Sequence, residues 1–293
     1  MIRITIVFLL LAFSSKSYCQ DLIDLLADST KSQDFATATF KTTRVVNGKS
    51  IENPAPGNLI FNISHHFGRI NQGIYEYFGL DQSTIRFGFE YGVSKRLALG
   101  FGRSSMQKTY EGYFKYKLLR QQTGKKNIPF TVSWTSGTDI YSIKWQNPER
   151  TNYFTSRMTF IHQLLIARKF NSSLSLQLTP TVIHKNMVPR YKQKNDIIAI
   201  GFSGRKKLTD RLSLNAEYFY LLPGNTATEG YYNSFSVGCD IETGGHVFQL
   251  HLTNSQPMFE RGFITETGGQ WSKGDIYFGF NITRIFTLGA ESD

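Results

Sequence analysis

Residues Ser83–Ser104, STIRFGFEYGVSKRLALGFGRS, decide the fold. Apolar residues alternate here with polar or small ones: Ile85, Phe87, Phe89 and Tyr91 fall on one face, and Thr84, Arg86, Gly88 and Glu90 on the other. After the basic turn Val93–Arg96 the alternation resumes at Leu97. Because side chains of a strand point alternately to its two faces, this stretch predicts a β-hairpin with one apolar face. Such a hairpin suits a soluble sandwich as well as a membrane barrel.

The same hairpin unit recurs along the chain. Twelve strand-like segments lie near 58–67, 83–92, 96–104, 109–119, 128–137, 154–167, 173–183, 196–205, 211–222, 233–241, 247–255 and 275–287. The sixth of these alternates least clearly. Similar turn-to-strand junctions begin at Val93, Phe170 and Leu208, separated by about two hairpins and one hairpin. Consecutive hairpins with an even strand number are what a transmembrane barrel requires.

The N-terminus has the features of an export signal. Arg3 supplies a positive charge, Ile4–Phe13 an apolar stretch and Ser17–Cys19 a small-x-small exit, which predicts cleavage before Gln20. An acylated Cys19 is the alternative, which the lysine and tyrosine before it disfavour. Only one cysteine, Cys239, then remains, so neither an intrachain disulfide nor a cysteine metal cluster is expected.

Composition also favours a barrel. No later apolar run approaches the ~18 residues of a membrane helix, whereas a barrel strand needs only about 9–11 per crossing. Aromatic residues make up 14% of the chain and suit interfacial girdles. The net charge is +11. Removing Arg3 and Lys16 with the signal lowers it to +9.

Connection lengths predict the orientation. Long connections at 68–82, 138–153, 184–195, 223–232 and 256–274 alternate with short ones at 93–95, 168–172 and 206–210, with 105–108 as a short exception. Because bacterial barrels keep short turns in the periplasm, both chain ends are expected there. The prediction is an all-β fold, an up-and-down antiparallel transmembrane β-barrel of about 12 strands in the bacterial outer membrane. Its domains are a signal peptide at 1–19, an extension at 20–57 and the barrel at 58–293.

The extension lacks the regular alternation. Asp21–Ala27 predicts a short amphipathic helix, Ala36–Asn47 a strand and Asn53–Gly57 a break. Two arrangements stay open, a plug inside the lumen and a short N-terminal periplasmic extension beneath the barrel.

Several short motifs support a family resemblance. They are TFKTTRVVNGKS at 39–50, SHHFGRIN at 64–71, FGLD at 78–81, GFGRSS at 100–105 and KYKLLRQ at 115–121. Together they resemble an uncharacterised outer-membrane β-barrel family of Bacteroidota, a domain of unknown function. The resemblance runs from about residue 21 to the C-terminus. It implies a barrel in the outer membrane and brings no established activity or functional residues.

No enzymatic, metal or cofactor site is expected. The run HLTNS at His251–Ser255 resembles the histidine-x-serine-asparagine motif of outer-membrane phospholipase A. Thr253 replaces the serine nucleophile, and alternation turns both His251 and Thr253 inward, away from lipid. His65 and His66 are neighbours on a strand and point to opposite faces, so they cannot share a metal ion.

Ten inward-facing charged residues are the candidate lumen residues. They are Arg86, Glu90, Glu111, Lys115, Lys117, Arg157, Arg205, Glu217, Asp240 and Asp275. Five are positive and five negative, whereas a strongly anion-selective porin needs a ring of one sign. This balance favours ion pairs across the lumen or a narrow pore of mixed charge.

The expected function is a narrow channel or a binding barrel for a small solute. A structural or partner-anchoring barrel with a blocked lumen is the alternative, and a lipid-acting enzyme the third. The candidate partners are outer-membrane lipid, facing basic turns such as Lys95–Arg96, a small solute and an unidentified periplasmic protein. Nucleic acid is not an expected partner for an exported barrel.

Overall fold

The barrel is formed entirely by consecutive antiparallel strands. A computed structural model describes residues 33–188, 194–223 and 230–288. In that part of the chain twelve strands close into a barrel. The strands are β1 (Asn58–Arg69), β2 (Ser83–Gly92), β3 (Leu97–Ser104), β4 (Thr109–Leu119), β5 (Thr131–Tyr141), β6 (Met158–Lys169), β7 (Leu174–Lys185), β8 (Asp196–Lys207), β9 (Leu212–Leu221), β10 (Ser234–Thr243), β11 (His246–Thr253) and β12 (Tyr277–Thr287). The expected signal peptide and the helix expected at Asp21–Ala27 lie outside the described residues.

Closure leaves the barrel sheet without an edge, and a separate short two-stranded sheet pairs Asp34–Phe35 with Gln122–Thr123. Each strand pairs with its neighbour in sequence, and β12 pairs with β1, for example through Ile282 and Ile63. All backbone groups of the strands can therefore be satisfied without water, which the membrane interior demands. Among the described residues no helix is long and apolar enough to cross a membrane.

The two ends of the barrel differ in their connections. Short turns such as 93–96 and 208–211 lie at one end, here called the turn end. The long connections 70–82 and 254–276 lie at the other, the loop end. Since short turns face the periplasm in bacterial barrels, we expect the turn end to be the periplasmic one. The expected exception, 105–108, is short and contains a single 3-10 turn.

The hairpin of β2 and β3 confirms the alternation. Phe89 pairs with Phe101, and their side chains are exposed on the outer surface at 39% and 52%. Arg86 and Glu90 point inward and are 1% and 5% exposed. The outer surface is thus the apolar face that contacts lipid.

Two strands begin later than the sequence suggests, and this moves two candidate lumen residues. The expected strand at 154–167 begins at Met158, because Phe154–Arg157 forms a 3-10 turn. The expected strand at 275–287 begins at Tyr277, because Gly274 takes a left-handed conformation (φ 73°) after another 3-10 turn. Arg157 and Asp275 therefore lie in loop-end connections and not on lumen-facing strand positions.

Strand β6 explains the unclear alternation of the sixth segment. Three of its inward side chains, Ile161, Leu165 and Ala167, are apolar and buried. Many of its outward side chains are apolar as well. A strand that is apolar on both faces is buried on both faces. The lumen beside β6 must therefore contain protein and not water.

Candidate functional site

Two segments fold into the lumen from opposite ends. Residues 39–52, called the inner plug, enter from the turn end, just before β1. Residues 254–267, called the outer plug, enter from the loop end between β11 and β12 and contain the short helix α1 (Glu260–Thr265). Most residues of both plugs are buried, including Val45 and Phe263 at 1% and 0% exposure.

The inner plug is a compact hairpin without a regular strand. Its tip is closed by the N–H of Val45, which donates to the carbonyl of Gly48 at 2.8 Å, and Arg44 and Lys49 form an isolated bridge. The strand expected at Ala36–Asn47 was wrong. The backbone groups of the inner plug form hydrogen bonds with side chains of the lumen, whereas those of a strand would pair with a neighbouring strand.

Glu217 of β9 holds the tip of the inner plug. Its carboxylate accepts hydrogen bonds from the N–H groups of Val46 (3.2 Å), Asn47 (2.8 Å) and Gly48 (3.0 Å). The carboxylate is 1% exposed. Backbone donors thus replace the water that a buried carboxylate would lose, and such charge-assisted bonds are among the stronger ones in proteins.

Other inward side chains bind carbonyl groups of the inner plug and of the residue before it. These bonds are Arg205 Nη1 to Ala38 (2.9 Å), Lys115 Nζ to Ser50 (3.2 Å), Gln249 Nε2 to Val45 (2.7 Å), Asn281 Nδ2 to Val46 (3.1 Å) and Gln177 Nε2 to Lys49 (2.9 Å). They come from β4, β7, β8, β11 and β12, on all sides of the barrel. The polar lumen expected from the sequence is a binding surface for this hairpin.

The two plugs meet at an ion-pair cluster. Lys49 Nζ lies 2.5 Å from Glu260 Oε1, and Arg44 Nη1 lies 3.8 Å from the same oxygen. Arg44 also reaches Glu111 at 3.4 Å, and Arg86 Nε lies 2.5 Å from Glu111. Burial alone would raise the pKa of Glu260, but the charges of Lys49 and Arg44 outweigh it and lower the pKa to about 2.

Three carboxylates in this cluster could together hold a metal ion. The ligand oxygens of Glu111, Asp139 and Glu260 all lie within 4.8 Å of one another. Arg44 and Lys49 supply positive charge at the same place, and Asp139 also accepts the N–H of Arg261 at 3.1 Å. The neighbouring cations and donors therefore account for the acidic groups as they stand. The expectation of no metal stays a prediction.

Two inward histidines form a pair that the sequence did not reveal. Nε2 of His66 lies 2.8 Å from Nε2 of His251, and Nδ1 of His66 contacts the carbonyl of Gln256 at 2.9 Å. Gly279 lies between them on β12. A Cβ there would approach both rings to 2.5 Å, so glycine makes the space for the pair. The alternation predicts that each histidine ring points inward. It does not predict their contact, which arises because β12 lies between β11 and β1 in the closed barrel.

The plugs also pack against apolar inward residues. Phe263 and Ile264 of the outer plug pack with Ile161 and Phe219 of the wall, and the rings of Phe219 and Phe263 lie 5.0 Å apart. The inner plug contributes a smaller cluster: Phe40, Val45 and Ile51 against Leu165 and Ala167. Sequence reasoning missed these wall residues because it assumed a polar lumen. Apolar residues at inward-facing positions of the strands could have indicated that the lumen contains protein.

The ten candidate lumen residues separate into two groups. Seven are buried inside the barrel: Arg86, Glu90, Glu111, Lys115, Arg205, Glu217 and Asp240. Arg86 pairs with Glu111, and Lys115 lies 3.4 Å from Glu90. Lys117 lies at the turn end, whereas Arg157 and Asp275 lie at the loop end.

Open space lies at both ends of the barrel. A cavity of about 520 Å³ at the turn end is bordered by Lys95, Lys117 and Arg120, and one of about 570 Å³ at the loop end by Trp145 and Arg261. Between the plugs and β4–β6 the described residues leave a space of only about 10 Å³. Open space is thus present at either mouth, and the two plugs fill the part of the lumen between them.

Three solved structures with a similar architecture are distant from this chain in sequence. The NanC porin gives a TM-score of 0.48 at 6% identity, covering 79% of this chain and 100% of that one. An outer membrane channel from Pseudomonas putida F1 gives 0.47 at 13% identity, covering 80% and 97%. Outer membrane phospholipase A from Escherichia coli gives 0.44 at 11% identity, covering 83% and 98%. None of the curated proteins matches the chain.

The family is shown by a match that spans most of the molecule. The profile of a family described as "Membrane bound beta barrel domain" matches residues 40–286, from the inner plug to the last strand. A closed barrel with an apolar outer face in this family is a protein of the bacterial outer membrane. The chain belongs to this membrane-bound β-barrel family, DUF5777, whose function is unknown.

Proposed function

We propose that this protein is a gated channel for a small solute, closed in the state described by its two plugs. The contact of Lys49 with Glu260 carries the proposal, because it joins the two plugs across the lumen. Inward residues beside it, such as Lys115 and Glu217, are 0% and 1% exposed. These lumen side chains are therefore shielded from solvent while both plugs are seated.

The polar character of the inner plug supports gating over permanent closure. Buried ion pairs are often no more stable than well-packed apolar replacements, so a barrel that only has to be closed gains little from them. The carboxylate of Glu217 and the ammonium of Lys115 can both be hydrated once the plug leaves. A lumen lined with such groups suits a second, water-filled state.

A structural or partner-anchoring barrel with a permanently blocked lumen is the second candidate. The apolar packing of Phe263 against Phe219 favours it, since that contact has no use for water. A lipid-acting enzyme is third: Oγ1 of Thr253 accepts a hydrogen bond from Oγ of Ser236 at 2.8 Å inside the lumen, away from lipid. A periplasmic partner and an origin in Bacteroidota stay predictions.

Conductance in planar bilayers tests the channel. We expect the full chain to open rarely and a variant lacking residues 20–52 to give steady conductance steps. Nδ2 of Asn47 in the inner plug donates to Oγ of Ser236 in the wall at 3.2 Å. A variant with Asn47→Cys and Ser236→Cys, made in a Cys239→Ser background, should therefore lock the inner plug when a disulfide forms on oxidation. The reduced form and the single Ser236→Cys variant are the matched controls.

Two outcomes decide between the candidates. Openings that vanish on oxidation and return on reduction support the gate. If the deletion variant forms a barrel, seen as heat-dependent migration on a denaturing gel, yet conducts nothing, the channel is wrong and the structural barrel remains.

A further inference from the structure

The cavity at the loop end has features of a ligand site. Its volume of about 570 Å³ falls in the range of small-molecule sites, about 300–1,000 Å³. It lies beside the outer plug, inside the mouth of the barrel, and residues Gln107 and Glu266 border it. The outward strand faces that contact lipid do not contribute to it.

Positive charge is in excess inside this cavity. Arg261 Nη1 and Lys185 Nζ both lie 3.0 Å from the same oxygen of Glu266. Burial alone would raise the pKa of Glu266, but these two cations outweigh it and lower the pKa, so this carboxylate is charged at neutral pH. Two cations therefore share one anion.

Arg261 has a donor to spare. Its side chain is 8% exposed, and while Gln107 and Glu266 accept from its two terminal nitrogens, its buried Nε–H has no acceptor in the described residues. Leaving a buried donor unpaired costs about 1–3 kcal/mol. An oxyanion in the cavity would balance the positive charge that Arg261 and Lys185 leave in excess over Glu266.

Trp145 supplies a fixed aromatic surface in the same cavity. The guanidinium of Arg157 lies 3.8 Å from the ring centre of Trp145 and 5.5 Å from that of Tyr141. Arg157 Nη1 also donates to the carbonyls of Tyr141 (3.0 Å) and Ile143 (2.5 Å), which holds this connection in place. Trp145 is half-buried and borders the cavity, so its ring is positioned before any ligand arrives.

We propose that this cavity binds a small soluble anion that carries a carboxylate or phosphate group on a ring. The oxyanion contacts Arg261 and Lys185, and the ring stacks on Trp145. Lys144 and Arg150, exposed at the rim, raise the local anion concentration. Binding requires no passage, so it is measured on the closed protein and is independent of the proposed channel.

Calorimetric titration of the full chain, folded in a neutral detergent, tests this site. The probes are glucose 6-phosphate and glucuronate, with glucose and glucosamine as neutral and cationic controls. We expect binding of the two anions only, weakened by added salt. Lys185→Gln should raise the Kd about tenfold, which corresponds to about 1.4 kcal/mol. Lys185→Arg should restore affinity, and Trp145→Ala should weaken both anions.

Lys273→Gln is the matched control, because Lys273 is an exposed cation of the loop end that does not border the cavity. Arg261 is left unchanged, since it also holds the outer plug. Equal binding of glucose, or unchanged affinity in both Lys185→Gln and Trp145→Ala, would overturn the site. So would binding of short-chain phosphatidylglycerol without binding of either sugar anion, which would assign the cavity to lipid headgroups.

Discussion

The two plugs close one lumen with different kinds of contact. The inner plug is held chiefly by hydrogen bonds and ion pairs to wall side chains such as Glu217, Lys115 and Arg205. The outer plug packs its apolar residues Phe263 and Ile264 into the largest apolar cluster of the wall. Water can replace the first kind of contact and cannot replace the second. We therefore expect the outer plug to stay with the folded core and the inner plug to be the one that leaves the lumen.

Phe263→Ala should have the largest effect on stability. It removes a fully buried ring from the cluster with Phe219, and such truncations cost about 3–5 kcal/mol. Phe40→Ala in the inner plug is the matched comparison. We expect it to leave the barrel's free energy of unfolding in urea nearly unchanged while raising the conductance. Equal losses of unfolding free energy in the two variants would remove the distinction between the plugs.

Glu260→Gln should be the next largest change. It leaves the buried cation of Lys49 without its carboxylate partner and removes one of the two partners of Arg44, which costs about 3 kcal/mol. The double variant Lys49→Met with Glu260→Met should recover most of that loss in urea unfolding. A double variant as unstable as the single one would show that the loss does not come from the unpaired charges.

The barrel could be predicted from the sequence. A plug formed by the N-terminal extension was one of two arrangements left open, and the outer plug was not predicted. The lipid-facing surface requires apolar residues at every second position of a strand. This alternation is visible in a short stretch of sequence, as at Phe87, Phe89 and Tyr91. The inner plug has no such period, because its backbone is satisfied by side chains far away in sequence. Glu217 and Asn47 are 170 residues apart, and neither residue identifies the other.

The candidate site was predicted in part for the same reason. Alternation correctly turned Arg86 and Glu217 inward, since their positions follow from the strand. It failed for Asp275, where a 3-10 turn delays the strand. It also failed to interpret Ile161 and Phe219, which are inward and apolar because the outer plug covers them.

Glu217→Ala should loosen the inner plug without unfolding the barrel. Three backbone N–H groups of the inner plug lose their charged acceptor. If this weakens the binding of the plug in the lumen by about 2 kcal/mol, the open probability rises about thirtyfold. Single-channel recording measures it. Ser213→Ala is the control, because Ser213 lies on the same face of β9 and bonds Asp240 and not the plug. The inner plug is not the gate if both variants open equally.

Mild acid should have the smallest effect. Because the pKa of Glu260 is about 2 in the folded protein and near 4.5 ordinarily, its ion pairs stabilise the closed state fully above about pH 4.5. This stabilisation is lost as the pH falls from there toward 2. We therefore expect the Glu260 contribution to conductance to be constant between pH 7 and 5 and to fall only in stronger acid.

The readout is the difference in conductance between the wild-type chain and Glu260→Gln. Glu111 and Asp139 face the same cluster and are present in both proteins. A difference that already disappears at pH 6 would mean that the cations of the inner plug do not hold Glu260 ionised, and that the plugs are not joined by charge.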